Sequence, residues 1–134
     1  MRQDDESFEL LSAVEILISR IGSDQLVINY QFDGDETLYS QAERVAFFRA
    51  IQEGLTNVYK HANASHINLW LQFLPSQARL RIIDDGVGFE PHQSEKGSGL
   101  KGVRERVESL GGTVLIESRP DEGTVLDILL PQLP

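Results

Sequence analysis

The sequence contains no cysteine, only three lysines and no apolar run long enough to cross a membrane. Without cysteine the chain forms no disulfide and no thiolate site, which suits the cytosol. The most apolar early segment, AVEILIS, is interrupted by Glu15 and followed by Arg20, and no signal peptide precedes it. We therefore expect a cytoplasmic domain without membrane contact of its own, any membrane attachment of a full-length protein lying outside this chain.

Positive charge is also scarce. The 134 residues carry 12 Lys and Arg against 21 Asp and Glu, which gives a formal net charge of −9. So acidic a chain argues against binding to nucleic acid or to an anionic membrane. It would also repel a polyphosphate, so that Lys60, Lys96 and Lys101 become candidates for a local positive site. The length predicts one domain, covering residues 1–134.

The hydrophobic periodicity predicts three helices and five strands. A helix ends near Gly22, a long helix covers 41–62, and LKGVRERVESLG forms an amphipathic third one. QLVINYQF, HINLWLQFL, ARLRIIDD, TVLIES and TVLDILLP are predicted strands, the last four forming two hairpins. This order predicts the α+β class: a two-layer sandwich whose mixed, mostly antiparallel sheet is covered on one face by helices. The predicted apolar stripe of the long helix is Val45, Phe48, Ile51, Leu55, Val58 and Ala62.

A glycine-rich stretch, GSGLKG at 97–102, directly precedes the third helix. It has the G-x-G-x-x-G spacing of a dinucleotide-binding loop, but EPHQSEK before it is not a buried strand, so that interpretation fails. The G-x-x-x-x-G-K-[ST] phosphate loop is absent as well. What remains is an anion-binding helix start at the end of a polar loop, GVGFEPHQSEKGSG, which we expect to be mobile.

The long helix carries a polar side. Glu53, Asn57, Lys60 and His61 fall within an arc of about 100° at 3.6 residues per turn. A carboxylate and a carboxamide one turn apart offer the oxygen ligands that Mg²⁺ prefers together with phosphate oxygens and water. Lys60, a further turn along, is placed to meet a phosphate.

Two adjacent carboxylates end a predicted strand in IIDDGVGF. Because side chains alternate along a strand, Asp84 and Asp85 point to opposite faces and cannot share a proton. One of them is therefore expected to face a pocket as a hydrogen-bond acceptor while the other meets solvent.

Four segments in this order resemble the ATP-binding catalytic domain of sensor histidine kinases. RAIQEGLTNVYKHANAS resembles the N box, DDGVGF the first glycine box, GSGLKGVRERVESLGG the second and EGTVLDILLP the last. The resemblance implies the Bergerat fold that GHKL kinases share with type II topoisomerases, Hsp90 and mismatch-repair ATPases. The segments KHA and GLKGVRERV are most similar to the corresponding motifs of the nitrate-sensor and lipid-thermosensor kinases.

The resemblance implies a site for ATP and Mg²⁺. Asp84 would accept a hydrogen bond from the adenine amino group, and Asn57 would ligate the metal with Glu53 beside it. These two residues of the long helix are the implied catalytic groups. The role of His61 stays open between a phosphate contact and support of a neighbouring group. The other implied nucleotide contacts are Lys60, Gly86, Gly88, Gly97, Gly99, Leu100, Lys101 and Thr124.

The implied reaction is transfer of the γ-phosphoryl group to a histidine on a separate dimerisation domain, with a response regulator downstream. None of His61, His66 and His92 is followed by an acidic residue, as the phosphoacceptor of this subfamily would be. We therefore expect the chain to be the catalytic domain alone, and monomeric. Two alternatives stay open: a serine kinase of the anti-sigma-factor type, and a non-catalytic interaction module gated by ATP.

Overall fold

The computed structural model describes residues 8–87 and 99–132, apart from the side chains of residues 61 and 62. No helix within these ranges is both long and apolar enough to cross a membrane. In chain order the elements are α1 (Leu10–Ile21), β1 (Val27–Gly34), a 3₁₀ turn (Glu36–Leu38), α2 (Gln41–Asn57), a π-helical turn (Val58–Ala62), β2 (His66–Phe73), β3 (Gln77–Asp84), α3 (Leu100–Ser109), β4 (Thr113–Ser118) and β5 (Thr124–Pro131).

The strands form one five-stranded sheet in the order β1-β2-β3-β5-β4. β1 runs parallel to β2 because the crossover through α2 separates them, and the other neighbours are antiparallel. Alternate residues such as Leu71, Leu80 and Ile128 are fully buried, whereas Arg79 and Arg81 on the opposite face are partly exposed. The predicted α+β sandwich, with helices on one face of a mixed sheet, is confirmed.

The first turn of α2 is fixed by a capping box. The Ser40 hydroxyl accepts the Glu43 N–H, and the Glu43 carboxylate accepts the Ser40 N–H. Satisfying both donors defines where the helix begins. From there α2 lies on the sheet, with α1 packed beside it.

The predicted apolar stripe of α2 is wrong in part. Ile51, Leu55 and Val58 are buried, but Val45 and Phe48 are only half-buried, while Ala46, Phe47 and Ala50 are in the core. Because α2 contacts both the sheet and α1, its buried surface is wider than one stripe and includes neighbouring positions. The side chain of Ala62 lies outside the described residues.

Two contacts set the direction of α2 over β3. Near its start, the ring of Phe47 packs edge-on against Phe73, with the centroids 5.9 Å apart. Further along, a Cβ on Gly54 would lie 3.1 Å from Ile82 Cδ1, so glycine allows close approach of helix and sheet. Because Phe73 pairs with Ala78 at the start of β3, α2 runs in the direction of β3. Its last turn therefore lies toward the strand end formed by Asp84.

After Asn57 the helix continues as a π-helical turn and stops at Asn63, whose φ is 51°. Asparagine tolerates this left-handed conformation better than most residues, which suits a helix end. The predicted extent of the long helix, 41–62, is thus correct, but its last five residues are wider than an α-helix. Such turns often occur at functional sites.

Candidate functional site

Asp84 is the last residue of β3 and one of the few buried charged residues in the described chain, with 7% of its surface exposed. Its Oδ1 accepts the Gly86 N–H at 2.8 Å, and the Thr124 N–H also faces the carboxylate. Burial raises the pKa of Asp84 above its ordinary value and outweighs these two N–H groups, which lower it. The opposite orientation of Asp84 and Asp85 expected from strand alternation is present.

The start of β5 lies against Asp84. Thr124 is its partner in the β3–β5 ladder, and the Thr124 and Ser118 hydroxyls are 2.8 Å apart. Gly123 has a φ of +78°, and any side chain there would collide with the carbonyl oxygen of Asp84. Gly123 directly precedes the predicted site residue Thr124, and glycine permits this close approach of two backbones.

Asn57 ends α2 at the same end of the molecule. Its Nδ2 is buried and has no hydrogen-bond partner among the described residues. A rotation of the carboxamide by 180° exchanges its oxygen and nitrogen. This position can therefore offer either a donor or an acceptor to a ligand. A buried polar group without a partner is costly, so the side chain is suited to a ligand that reaches it.

Magnesium fits this donor set only in part. Within residues 8–87 and 99–132, no group of three His, Cys, Asp or Glu side chains could hold a metal ion. A site built on the Asn57 carboxamide would therefore have to draw further ligands from phosphate oxygens and water, which is how Mg²⁺ is commonly held beside a nucleotide.

Glu53 meets the start of α3. A Cβ on Gly99 would lie 2.5 Å from the Glu53 carboxyl carbon, so the carboxylate lies directly against the Gly99 backbone. Gly99 is the N-terminal cap of α3 and has a φ of +81°, which favours glycine. The structure thus brings together Glu53 of α2 and Gly99 of the glycine-rich stretch, as their shared site would require.

The remaining residues predicted to contact the nucleotide differ in how far they are buried. Gly86 is buried and adjoins Asp84, whereas Lys60 and Lys101 are exposed. Leu100 is 5% exposed and packs into the core as the first residue of α3. Gly88 and Gly97 lie outside the described residues, as do His92, Lys96 and the side chain of His61, so these predictions are untested by the structure.

A second polar cluster was missed. Asp85, predicted to face solvent, is indeed 47% exposed in its side chain, but its carboxylate is bonded to Ser65 and His66 at the start of β2. These bonds lower the pKa of Asp85 well below its ordinary value, the His66 N–H contributing most. Residues 20 positions apart carry no local signal of such a contact.

The family model for the histidine kinase-, DNA gyrase B-, and HSP90-like ATPases matches residues 42–134, which include Glu53, Asn57, Asp84 and Gly99. The chain belongs to this ATPase family. Its curated relatives further identify it as the catalytic domain of a sensor histidine kinase.

Two curated relatives illustrate this similarity. The signal transduction histidine-protein kinase/phosphatase UhpB of Salmonella typhimurium is 47% identical over 100 residues, which cover 73% of this chain and 19% of that protein. The sensor histidine kinase LiaS of Bacillus subtilis is 34% identical over 108 residues, covering 80% of this chain and 30% of that protein. The match with this chain therefore covers less than a third of the length of either relative.

A solved structure shows the same fold. The blue-light activated histidine kinase EL346 of Erythrobacter litoralis superposes with a TM-score of 0.75 at 24% identity, over 91% of this chain and 40% of that chain. At this level of identity the likeness concerns the fold of the kinase domain and not its individual site residues.

Proposed function

We propose that this kinase domain binds Mg²⁺–ATP between the end of α2, the end of β3 and the start of α3. The γ-phosphoryl group is transferred to a histidine on a separate dimerisation domain, and a response regulator receives it afterwards. The family assignment supports the ATP site, and the names of the curated relatives support the phosphoryl-transfer role.

The observation that carries the proposal is the buried carboxylate of Asp84. A carboxylate costs free energy to bury, and two N–H groups alone leave it with acceptor capacity unused. The adenine amino group can use this capacity, since it donates hydrogen bonds. Guanine carries a carbonyl oxygen at that position, which a carboxylate repels. Asp84 therefore selects adenine.

Asn57 and Glu53 act at the phosphate end. Asn57 offers its carboxamide oxygen to the metal, and Glu53 orients and polarises the region around the γ-phosphate. Bound Mg²⁺ supplies neutralisation of the phosphate charge, on which phosphoryl transfer largely depends. The proton of the accepting histidine leaves to a group on the dimerisation domain.

The start of α3 holds the phosphate tail. Its helix dipole and the N–H groups near Gly99 favour an anion, and Lys101 follows in the first turn. Lys60, in the π-helical turn after α2, is exposed and would contact the phosphates as well. We propose the same role for Gly97, two positions before Gly99 in the sequence, and an adenine contact for Gly86, Gly88 and Thr124.

The test of the base site is a calorimetric titration with Mg²⁺–ATP and Mg²⁺–GTP. Asp84→Asn removes a charged acceptor worth about 1.5–3 kcal/mol, so we expect the affinity for ATP to fall about 10- to 100-fold. The affinity for GTP should not fall, because the substitution removes the repulsion between the carboxylate and the guanine carbonyl oxygen. Equal binding of ATP and GTP by the wild-type domain would exclude Asp84 as the adenine acceptor.

The test of the reaction is transfer from γ-labelled ATP to a supplied dimerisation hairpin that carries the phosphoacceptor histidine. We expect a label on the hairpin that is lost in acid and stable in base. A label stable in acid would favour the serine kinase. Binding of ATP without any transfer would favour the interaction module.

A further inference from the structure

The carboxylate of Asp85 forms a compact cluster with the start of β2. Its Oδ1 accepts the N–H groups of Ser65 and His66 at 2.8 and 2.9 Å, and its Oδ2 accepts the Ser65 hydroxyl at 2.8 Å. His66 Nδ1 lies 3.4 Å from the same Oδ2. The Asp85 N–H in turn donates to the His66 carbonyl oxygen at 3.3 Å.

This cluster lies where the sheet pairing ends. The last pair of β2 and β3 is Ile67 with Asp84, so Asp85 is one residue beyond the ladder. On the other side, Asp84 is held by Thr124 of β5. The side chain of Asp85 thus continues the attachment of β3 to β2 by one further residue, and it fixes both the backbone after Asp84 and the Asp84–Gly86 turn.

The cluster also connects the two ends of the nucleotide site. Ser65 follows the π-helical turn that begins directly after Asn57, and the left-handed Asn63 lies between them. Asp85 therefore ties the segment that leaves α2 to the strand end that presents Asp84. Movement of either segment against the other would change the distance between the base end and the phosphate end.

We propose that Asp85 is a positioning residue for base recognition: its bonds to Ser65 and His66 hold the end of β3 so that the Asp84 carboxylate is aimed at the adenine amino group. This inference rests on the proposed function. The cluster is exposed, with side-chain exposures of 59% for His66 and 47% for Asp85. Because these bonds fix the strand end that presents Asp84, we expect their loss to reduce selectivity beyond any loss of stability.

The experiment compares the ratio of the dissociation constants for Mg²⁺–GTP and Mg²⁺–ATP in wild-type, Asp85→Ala, Asp85→Asn and Ser65→Ala domains, with the melting temperature measured alongside. We expect Asp85→Ala to lower the ratio by about tenfold, mainly through weaker ATP binding. Asp85→Asn keeps one acceptor oxygen and should lie between. Ser65→Ala removes one bond and should lower the ratio by about two- to threefold.

Asp33→Ala is the matched control. Asp33 accepts hydrogen bonds from Trp70 and Gln31 and lies at the far end of the sheet, so its loss removes the same charge and similar bonds away from Asp84. We expect its ratio to equal that of the wild type, with a melting temperature no higher than that of Asp85→Ala.

Three outcomes would overturn the inference. The first is an unchanged ratio in Asp85→Ala, which contradicts the positioning role while leaving the proposed function intact. If Asp85→Ala does not fold, unchanged ratios in Asp85→Asn and Ser65→Ala have the same meaning. A ratio that falls equally in Asp33→Ala assigns the effect to general loss of stability. A wild-type ratio near one excludes Asp84 as the adenine acceptor, which is the part of the proposed function on which this inference rests.

Discussion

At the scale of single residues, two neighbouring aspartates behave in opposite ways because they face opposite sides of one strand. Asp84 is buried against the helix layer, and desolvation raises its pKa. Asp85 is partly exposed and bonded to Ser65 and His66, which lower its pKa. A raised carboxyl pKa means that ionisation is less favourable in the folded state than in the unfolded chain, whereas a lowered pKa means the reverse.

The two substitutions to asparagine should therefore have stability effects of opposite sign. At neutral pH and without nucleotide, we expect Asp84→Asn to raise the melting temperature, because it removes a charge that folding disfavours. This gain should disappear as the pH falls through the raised pKa of Asp84. Asp85→Asn should lower the melting temperature, and its deficit should begin to shrink as the pH falls below 3.8, the ordinary carboxyl value, toward the lowered pKa of Asp85.

Melting curves measure these changes in stability. They are recorded for both variants and the wild type, from pH 7 down to the lowest pH at which the domain is still folded. A less stable Asp84→Asn domain at pH 7 would contradict the account. With the loss of ATP affinity expected for the same substitution, a positive result would show a site that is maintained at the expense of stability.

At the scale of elements, α1 begins without a side-chain cap of its own. The side chain of its N-cap residue, Glu9, makes no capping bond, and the Leu10 and Leu11 N–H groups donate instead to the Glu36 carboxylate at 2.6 and 3.0 Å. Arg44 of α2 lies 3.6 Å from Glu36 and donates to the Phe8 carbonyl oxygen. This group joins α1, the 3₁₀ turn and α2.

Glu36→Ala should consequently lower the free energy of unfolding by about 1–3 kcal/mol, because it leaves two helix N–H groups without their acceptor and removes one partner of Arg44. Urea denaturation measures the change. Glu9→Ala is the control, since that exposed carboxylate bonds only to the Ser12 hydroxyl among the contacts described here, and we expect less than about 0.5 kcal/mol. Equal effects of both variants would exclude the interhelical role.

Local sequence patterns predicted strand ends well but could not predict contacts between residues far apart in the chain. Strands β4 and β5 were predicted with their observed ends, because alternation and turn residues are local signals. β1 was predicted two residues too early, and the buried side of α2 was wrong at Val45 and Phe48, since both depend on packing partners elsewhere. The contacts of Glu36 with α1 and of Asp85 with Ser65 join residues 20 or more positions apart, which periodicity does not reveal.

At the scale of the whole molecule, an acidic chain is proposed to bind an anion. The formal net charge of −9 opposes approach of ATP, so the proposed Mg²⁺ would have to offset part of this repulsion. Lys60 and Lys101 are the lysines present in the described part of the chain, and both are exposed. The affinity for ATP should therefore depend strongly on magnesium.

A ligand at about a hundred times its dissociation constant adds about 2.7 kcal/mol to the free energy of unfolding. We expect ATP with Mg²⁺ to raise the melting temperature clearly and ATP with EDTA to raise it much less, at matched ionic strength. In Asn57→Ala the two conditions should converge, while the fold without nucleotide is retained. If Asn57→Ala keeps the wild-type difference between Mg²⁺ and EDTA, Asn57 is not part of the metal site.

The pairing of β3 with β5 sets Asp84 opposite Thr124, and Asp85 falls one position later. Deleting a single residue from the middle of β3 would exchange the two aspartates between the faces of the sheet while leaving most backbone bonds possible. The domain would then present Asp85 in place of Asp84 to the adenine of the proposed ligand. Along this strand, evolution should tolerate replacement of residues far better than a change in their number.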